Sequence, residues 1–174
     1  KLFYNYKIDG YIIPKNDEFF GEYIPESKDN LKFISNFSGS YGLALILKKK
    51  NYLFVDGRYT LQAKIQSGKN FKIFTVPNKL PSDILKSKKI FIGFDPKLHT
   101  EKMLANFFKK TNVNFIPINK NLVSKVWSNK TTHQQKKFYK LSNKDAGESS
   151  SNKIKKISKI LNKNKINLQF ISSS

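Results

Sequence analysis

The chain has 174 residues, no cysteine and a net charge of +21, with an isoelectric point near 10.0. Its 39% hydrophobic and 14% aromatic content excludes a wholly disordered chain, and its length suits one domain plus part of another. The lack of cysteine excludes disulfides and thiolate metal sites and fits a reducing, cytoplasmic compartment, while no apolar run approaches the roughly 20 residues of a membrane span.

Lys1–Tyr6 reads as the tail of a helix, and Gly10–Pro14 as a strand ended by its proline. Asn16–Tyr23 is polar and aromatic and reads as a short helix or a loop. On a helix Glu18 and Glu22 would share a face; with no base nearby in sequence, that face is read as solvated. Asp29–Ile34 is a short helix leading to the turn Ser38-Gly39-Ser40-Tyr41-Gly42. There Gly39 and Gly42 supply positive φ or close backbone approach. The turn has neither GxxxxGK[ST] nor GxGxxG spacing, so it reads as a tight entry to a strand rather than a phosphate cradle.

Leu43–Leu47 and Tyr52–Val55 are two short apolar strands joined across the polar Lys48–Asn51. Asp56-Gly57-Arg58-Tyr59 then breaks the second strand, with Gly57 letting the chain turn, and opens a helix that ends at Gly68. Phe71–Val76 is a strand, and Leu80–Lys86 a short helix with Pro81 at its start. Ile90–Phe94 is a buried strand. Thr100 caps an amphipathic helix to Lys110 whose stripe of Met103, Leu104, Phe107 and Phe108 reads as core. Val113–Ile118 is the last strand of this set, and Leu122–Trp127 a closing helical turn. Strands alternating with helices imply an α/β domain over 1–127, and the hairpin makes its sheet mixed.

The texture then changes. Residues 128–147 read as a polar linker. Residues 148–174 read as the start of a second α/β domain: a helix capped by Ser149 or Ser150, then a strand at Ile166–Ile171. Ile154, Ile157 and Leu161 form one face of that helix, expected to dock on a sheet, with lysines on the other. One helix and one strand cannot close such a domain, so the chain is expected to be the front part of a longer protein.

Two features bear on function. The charge admits a nucleic-acid partner, but Lys, Asn and Ile are overused together, and the lysines are scattered rather than gathered in one stripe. Compositional drift with weak, salt-sensitive polyanion affinity is therefore the expected behaviour, not a specific nucleic-acid site. Secondly, among 33 Lys and Arg residues Arg58 is the only arginine, which points to a place where a planar, forked donor matters. It either pairs with Asp56 or makes a contact of its own. His99 and His133 have no ligand-spaced partners and are read as surface residues, so no catalytic or metal set is assigned.

Six segments occur in a telling order: Tyr11–Asp17, Glu22–Pro25, Phe33–Gly42, Asp56–Tyr59, Gly93–Pro96 and Asn121–Trp127. Together they resemble the N-terminal domain of Xaa-Pro aminopeptidases (aminopeptidase P) of the creatinase/prolidase superfamily, the long three-domain members above all. The resemblance runs from about Gly10 to Trp127. At the junction Asp145-Ala146-Gly147-Glu148-Ser149 departs from the family's Tyr-x-Gly-x-Ser pattern in its first residue.

The resemblance implies a mixed sheet flanked by helices. It implies a parent enzyme that removes the N-terminal residue preceding proline, and a pair of divalent metal ions, manganese expected, held by two Asp, one His and two Glu of a C-terminal catalytic domain that this chain lacks. This region would then be non-catalytic, supporting a homodimer and bordering the active-site entrance, with Arg58, Asp56 and Tyr59 as candidates for substrate or interface contact. The alternatives are a basic nucleic-acid-binding module and the N-terminal domain of a prolidase- or creatinase-like hydrolase.

Overall fold

A computed structural model describes residues 1–86, 89–128 and 139–171. The chain divides into two units, Lys1–His133 and Gln134–Ser174.

In the first unit six strands form one mixed sheet: β1 (Gly10–Pro14), β2 (Gly42–Leu47), β3 (Asn51–Val55), β4 (Lys72–Thr75), β5 (Ile90–Phe94) and β6 (Val113–Pro117). Their spatial order is β4-β3-β2-β1-β5-β6. Only β2 runs against its neighbours β1 and β3; the pairs β3–β4, β1–β5 and β5–β6 are parallel. All strands but β2 therefore point the same way, and the sheet has an amino end and a carboxyl end.

β1 is central and buried along its whole length. At Gly10 the neighbouring strand comes so close that a Cβ would lie 2.7 Å from the Ile46 carbonyl oxygen, so only glycine fits. Successive side chains alternate between faces, and the two cores follow from that period. Tyr11, Ile13, Ala44, Leu53 and Val55 face one way, packed with Leu31, Phe37, Ala63, Leu122 and Val123. These come from α2 (Asn30–Ser35), α3 (Thr60–Ser67), α6 (Leu122–Val126) and the turn after α2. Ile12, Leu43, Leu45, Phe54 and Ile92 face the other way, against Leu85 of α4 (Pro81–Leu85) and Phe108 at the end of α5 (Glu101–Phe107). The result is the expected mixed sheet with helices on both faces. A short α1 (Leu2–Asn5) precedes β1, its Phe3 packed on the first of these cores.

Local chemistry explains most boundaries. Asp29 accepts a hydrogen bond from Lys32 N at 3.0 Å and starts α2, and Thr100 does the same for Met103 N at 3.2 Å on α5. Asn121 caps α6 through Val123 N at 2.9 Å, and Trp127 beyond it stacks on Phe33 with centroids 4.3 Å apart.

Two expectations are corrected in this unit, and one open choice is decided. Of the two readings of Asn16–Tyr23, the structure takes the loop. Asp17 is buried and accepts from Phe19 N at 3.0 Å, and Phe20 has φ of 55°, which turns the chain before a helix can propagate. Glu18 and Glu22 therefore share no helical face, and Glu18 pairs with Lys28. His99 is not at the surface but 8% exposed, drawn in by its Nδ1–H bond to the Asp95 carbonyl at 2.9 Å and an edge contact with Phe94. The apolar stripe of α5 is fully buried only at Phe108; Leu104 and Phe107 pack half-buried against the same core, and Met103 is half-buried.

In the second unit, α7 (Asn143–Ala146) ends in Gly147 at φ +74°, and α8 (Ser150–Lys163) is capped by Ser149 through Asn152 N at 3.2 Å. Ile166–Ile171 is not a strand. It has no pairing neighbour among the described residues, and an isolated strand leaves its backbone groups to water. Ile154 and Ile157 of α8 are exposed rather than docked on a sheet. His133 and much of the 128–147 segment lie outside the described residues.

Candidate functional site

The carboxyl ends of β1, β3 and β4 and the entry to β2 meet α5 around a groove of about 860 Å³. Pro14, Leu43, Val76 and Leu80 supply its apolar floor, with Met103 and Phe107 of α5 as one wall. Lys15, Asn16, Tyr41, Asp56 and Arg58 add polar groups. Ligands in open α/β sheets bind outside the carboxyl ends of strands, and this groove lies there.

Asp56 ends β3 and caps the short 3₁₀ turn Gly57–Tyr59 by accepting from Arg58 N at 2.9 Å. The same carboxylate accepts from Arg58 Nε at 3.2 Å and Nη2 at 2.6 Å. Asp56 and Arg58 thus do pair, and the guanidinium holds the Asp56 carboxyl below its ordinary range. The Arg58 side chain is nonetheless 73% exposed, and its Nη1 makes no hydrogen bond among the described residues, so donors remain for an arriving carboxylate or carbonyl. Tyr59 lies beneath the guanidinium, 5.2 Å from ring centroid to Cζ, and its hydroxyl meets Ser40 Oγ at 2.7 Å. Burial, with the Asp56 charge behind it, pushes the Tyr41 hydroxyl up, so Tyr41 stays a neutral donor at the groove.

The turn glycines differ in what they do. A Cβ on Gly39 would sit 2.3 Å from Phe37 Cζ, and one on Gly42 would be 3.0 Å from Leu31 Cδ2; both accommodate packing over the fully buried Phe37. At Gly57 a Cβ would meet nothing within 4 Å and φ is not positive, so the Asp56 cap makes this turn without needing glycine.

Sequence reasoning missed the polar framework beneath the groove. Lys15 and Asp29 form an ion pair with side chains only 9% and 8% exposed. Beside it a small cleft of about 240 Å³ contains Asp17, Asn30, Asp95 and Asn121. Asp95 ties three elements together: it accepts from Lys97 N at 3.0 Å and Asn121 Nδ2 at 2.9 Å, and its carbonyl holds His99. Burial lowers the His99 pKa, and its Nε2 has no partner among the described residues. The available signal was Lys15-Asn16-Asp17 directly after a wholly apolar strand, charge where the chain has just left the core.

Among the described residues no group of three or more His, Asp or Glu could hold a metal ion, so these residues do not fit a metal pair and no chemical step is assigned to them. No helix among them is long and apolar enough to cross a membrane.

Residues 1–125 match the Creatinase/Prolidase N-terminal domain. Among similar proteins, a probable Xaa-Pro aminopeptidase P of Coprinopsis cinerea is 33% identical over 91% of this chain and 27% of its own length. Aminopeptidase P1 of Lotus japonicus is 30% identical over 88% of this chain and 24% of its own. The crystal structure of X-prolyl aminopeptidase from Caenorhabditis elegans, described as a cytosolic enzyme with a di-nuclear active site, superposes with a TM-score of 0.72 at 27% identity. It covers 91% of this chain and 27% of that one. The chain thus spans about a quarter of the length of the curated relatives it matches. A match over residues 1–125, carried by the six-stranded mixed sheet and its helices, makes the chain a member of the creatinase/prolidase N-terminal domain family.

Proposed function

We propose that the chain is the non-catalytic N-terminal region of a cytoplasmic Xaa-Pro aminopeptidase, an enzyme that releases the residue preceding proline from a peptide. The observation that carries this reading is the reach of the likeness. The C. elegans enzyme covers 91% of the chain, more than residues 1–125 can supply, so the likeness extends into the second unit as well. That supports an aminopeptidase P parent over a prolidase, and 128–174 as linker and beginning of a further domain.

In this reading two divalent metal ions, manganese expected, would be held by a catalytic domain outside these residues, where they would supply the activation of water. What the present residues contribute is binding and exclusion. The groove at the carboxyl end of the sheet borders the entrance, its apolar floor accepting the peptide's side chains. Arg58, held upright by Asp56 and Tyr59, receives a carboxylate or carbonyl of the peptide, or of a partner subunit in a homodimer.

The test is the full-length gene product. Its sequence beyond residue 174 is expected to hold two Asp, one His and two Glu at ligating positions. The purified protein is expected to cleave Xaa-Pro peptides with manganese, while residues 1–174 alone do not. A full-length product without that ligand set, or turnover by residues 1–174 alone, overturns the reading.

A further inference from the structure

The amino end of the sheet gathers lysines that are far apart in sequence. Lys48, Lys49 and Lys50 form the loop between β2 and β3, Lys69 precedes β4, Lys72 opens it, and Lys89 precedes β5. Since β3, β4 and β5 point the same way and β2 the opposite, all of these positions fall at one end. They line two adjoining grooves of about 610 and 470 Å³ that share Lys49, Lys50 and Tyr52. Among the described residues the only carboxylate in either lining is Asp9. It is already bound by Lys48 Nζ at 2.7 Å and by Phe91 N at 3.1 Å. Among the described residues none of Lys49, Lys50, Lys69, Lys72 and Lys89 pairs with a carboxylate, and all five are exposed. Compositional drift accounts for the number of lysines. It does not account for lysines from three chain segments meeting on one surface where, among the described residues, no acid is left to neutralise them, because drift places lysine without regard to the fold.

We propose that this end of the sheet is a phosphate-backbone binding surface for a nucleic-acid strand. Two joined grooves accept an extended polyanion, and lysine ammoniums pair with phosphates as point charges without reading bases. Among the described residues no large hydrophobic side chain stands exposed in either lining: Tyr52, Phe71 and Ile90 are buried and Leu47 is half-buried. A lipid surface therefore finds no anchoring wedge here, which favours the nucleic acid. The surface lies at the opposite end of the sheet from Arg58, so both could be occupied at once.

The test compares two triple variants of the 174-residue chain with equal net charge. One is Lys49→Glu, Lys50→Glu and Lys69→Glu; the other is Lys102→Glu, Lys109→Glu and Lys120→Glu, all exposed and outside the two grooves. Fluorescence anisotropy with a 20-nucleotide oligouridine is read across a salt series, and circular dichroism checks that both variants fold. The first variant is expected to bind at least tenfold more weakly at low salt. Its slope of log affinity against log salt should be shallower by about 2, from about 0.7 per lost phosphate contact on a single strand. The second should lose less than threefold. Equal losses in the two variants mean that net charge alone acts, and overturn the proposal. So does tighter binding of either folded protein to phosphatidylserine vesicles than to the oligouridine.

Discussion

The two ends of the sheet carry polar groups in different ways. At the carboxyl end the charges are built in: Asp17, Asp29, Asp95 and His99 are all buried, and each is held by a named partner. At the amino end the lysines stand in water, and among the described residues none of them apart from Lys48 has an acid to hold it. A buried charge costs several kcal/mol to desolvate and persists only where geometry compensates it. A solvated lysine costs almost nothing and is free to vary. The carboxyl end is thus part of what specifies the fold and shapes the groove, whereas the amino end is a surface whose only stake is binding.

That contrast can be broken most forcefully at the carboxyl end. Truncating Phe37, 0% exposed beneath Gly39 and Gly42, to alanine is expected to remove about 3–5 kcal/mol of stability, measured by chemical denaturation. Lys15→Met leaves Asp29 buried without its cation and is expected to lose a similar amount, about 3–5 kcal/mol. A loss below 1 kcal/mol in either case would mean that the groove's framework is not structural.

Arg58→Lys separates binding from folding. The exposed pair with Asp56 is lost as a fork, so the melting temperature should hold while KM for an Xaa-Pro peptide in the full-length enzyme rises several-fold. A dimer contact would instead raise the subunit dissociation constant in ultracentrifugation. Wild-type values in both assays would reduce Arg58 to a surface pair.

A smaller, pH-dependent effect belongs to His99. Burial lowers its pKa from the ordinary 6.5, so as pH falls through that value the unfolded chain takes up the proton before the folded one. Stability is therefore complete above pH 6.5 and declines below it until the folded histidine itself titrates. Carboxylates with lowered pKa, such as Asp9 and Glu18, lose their contribution only at more acid pH, near about 4. Thermal melts should fall between pH 6.5 and 5 in the wild type and not in His99→Gln; identical profiles would exclude His99 as the source. The smallest effect is at the other end of the sheet, where Lys49→Ala with Lys50→Ala should change stability by less than about 0.5 kcal/mol.

These differences also explain what could be read from the sequence. β1, the hairpin of β2 and β3, and β5 were legible because buried strands leave short apolar runs with breakers at both ends. Thr100 and Ser149 were legible as caps because capping is decided by neighbours along the chain. The lone arginine drew attention to Arg58, and its bond to Asp56 lies within two residues. By contrast the Lys15–Asp29 pair, the burial of His99 and the convergence of lysines at the amino end join residues far apart in the chain or depend on strand order. No periodicity encodes them. The Ile166–Ile171 segment misled for the opposite reason: its composition suits a strand, but a strand exists only through its neighbour.

The central claim, that this chain is the entrance-bordering region of a proline-directed aminopeptidase, is tested most directly by steady-state hydrolysis with the full-length protein. Two peptides that differ only in their second residue, Xaa-Pro and Xaa-Ala, are compared with manganese present. The account predicts release of the first residue from the proline peptide and at least a hundredfold lower kcat/KM for the alanine peptide. Equal turnover of both peptides, or none of the proline peptide, would contradict it.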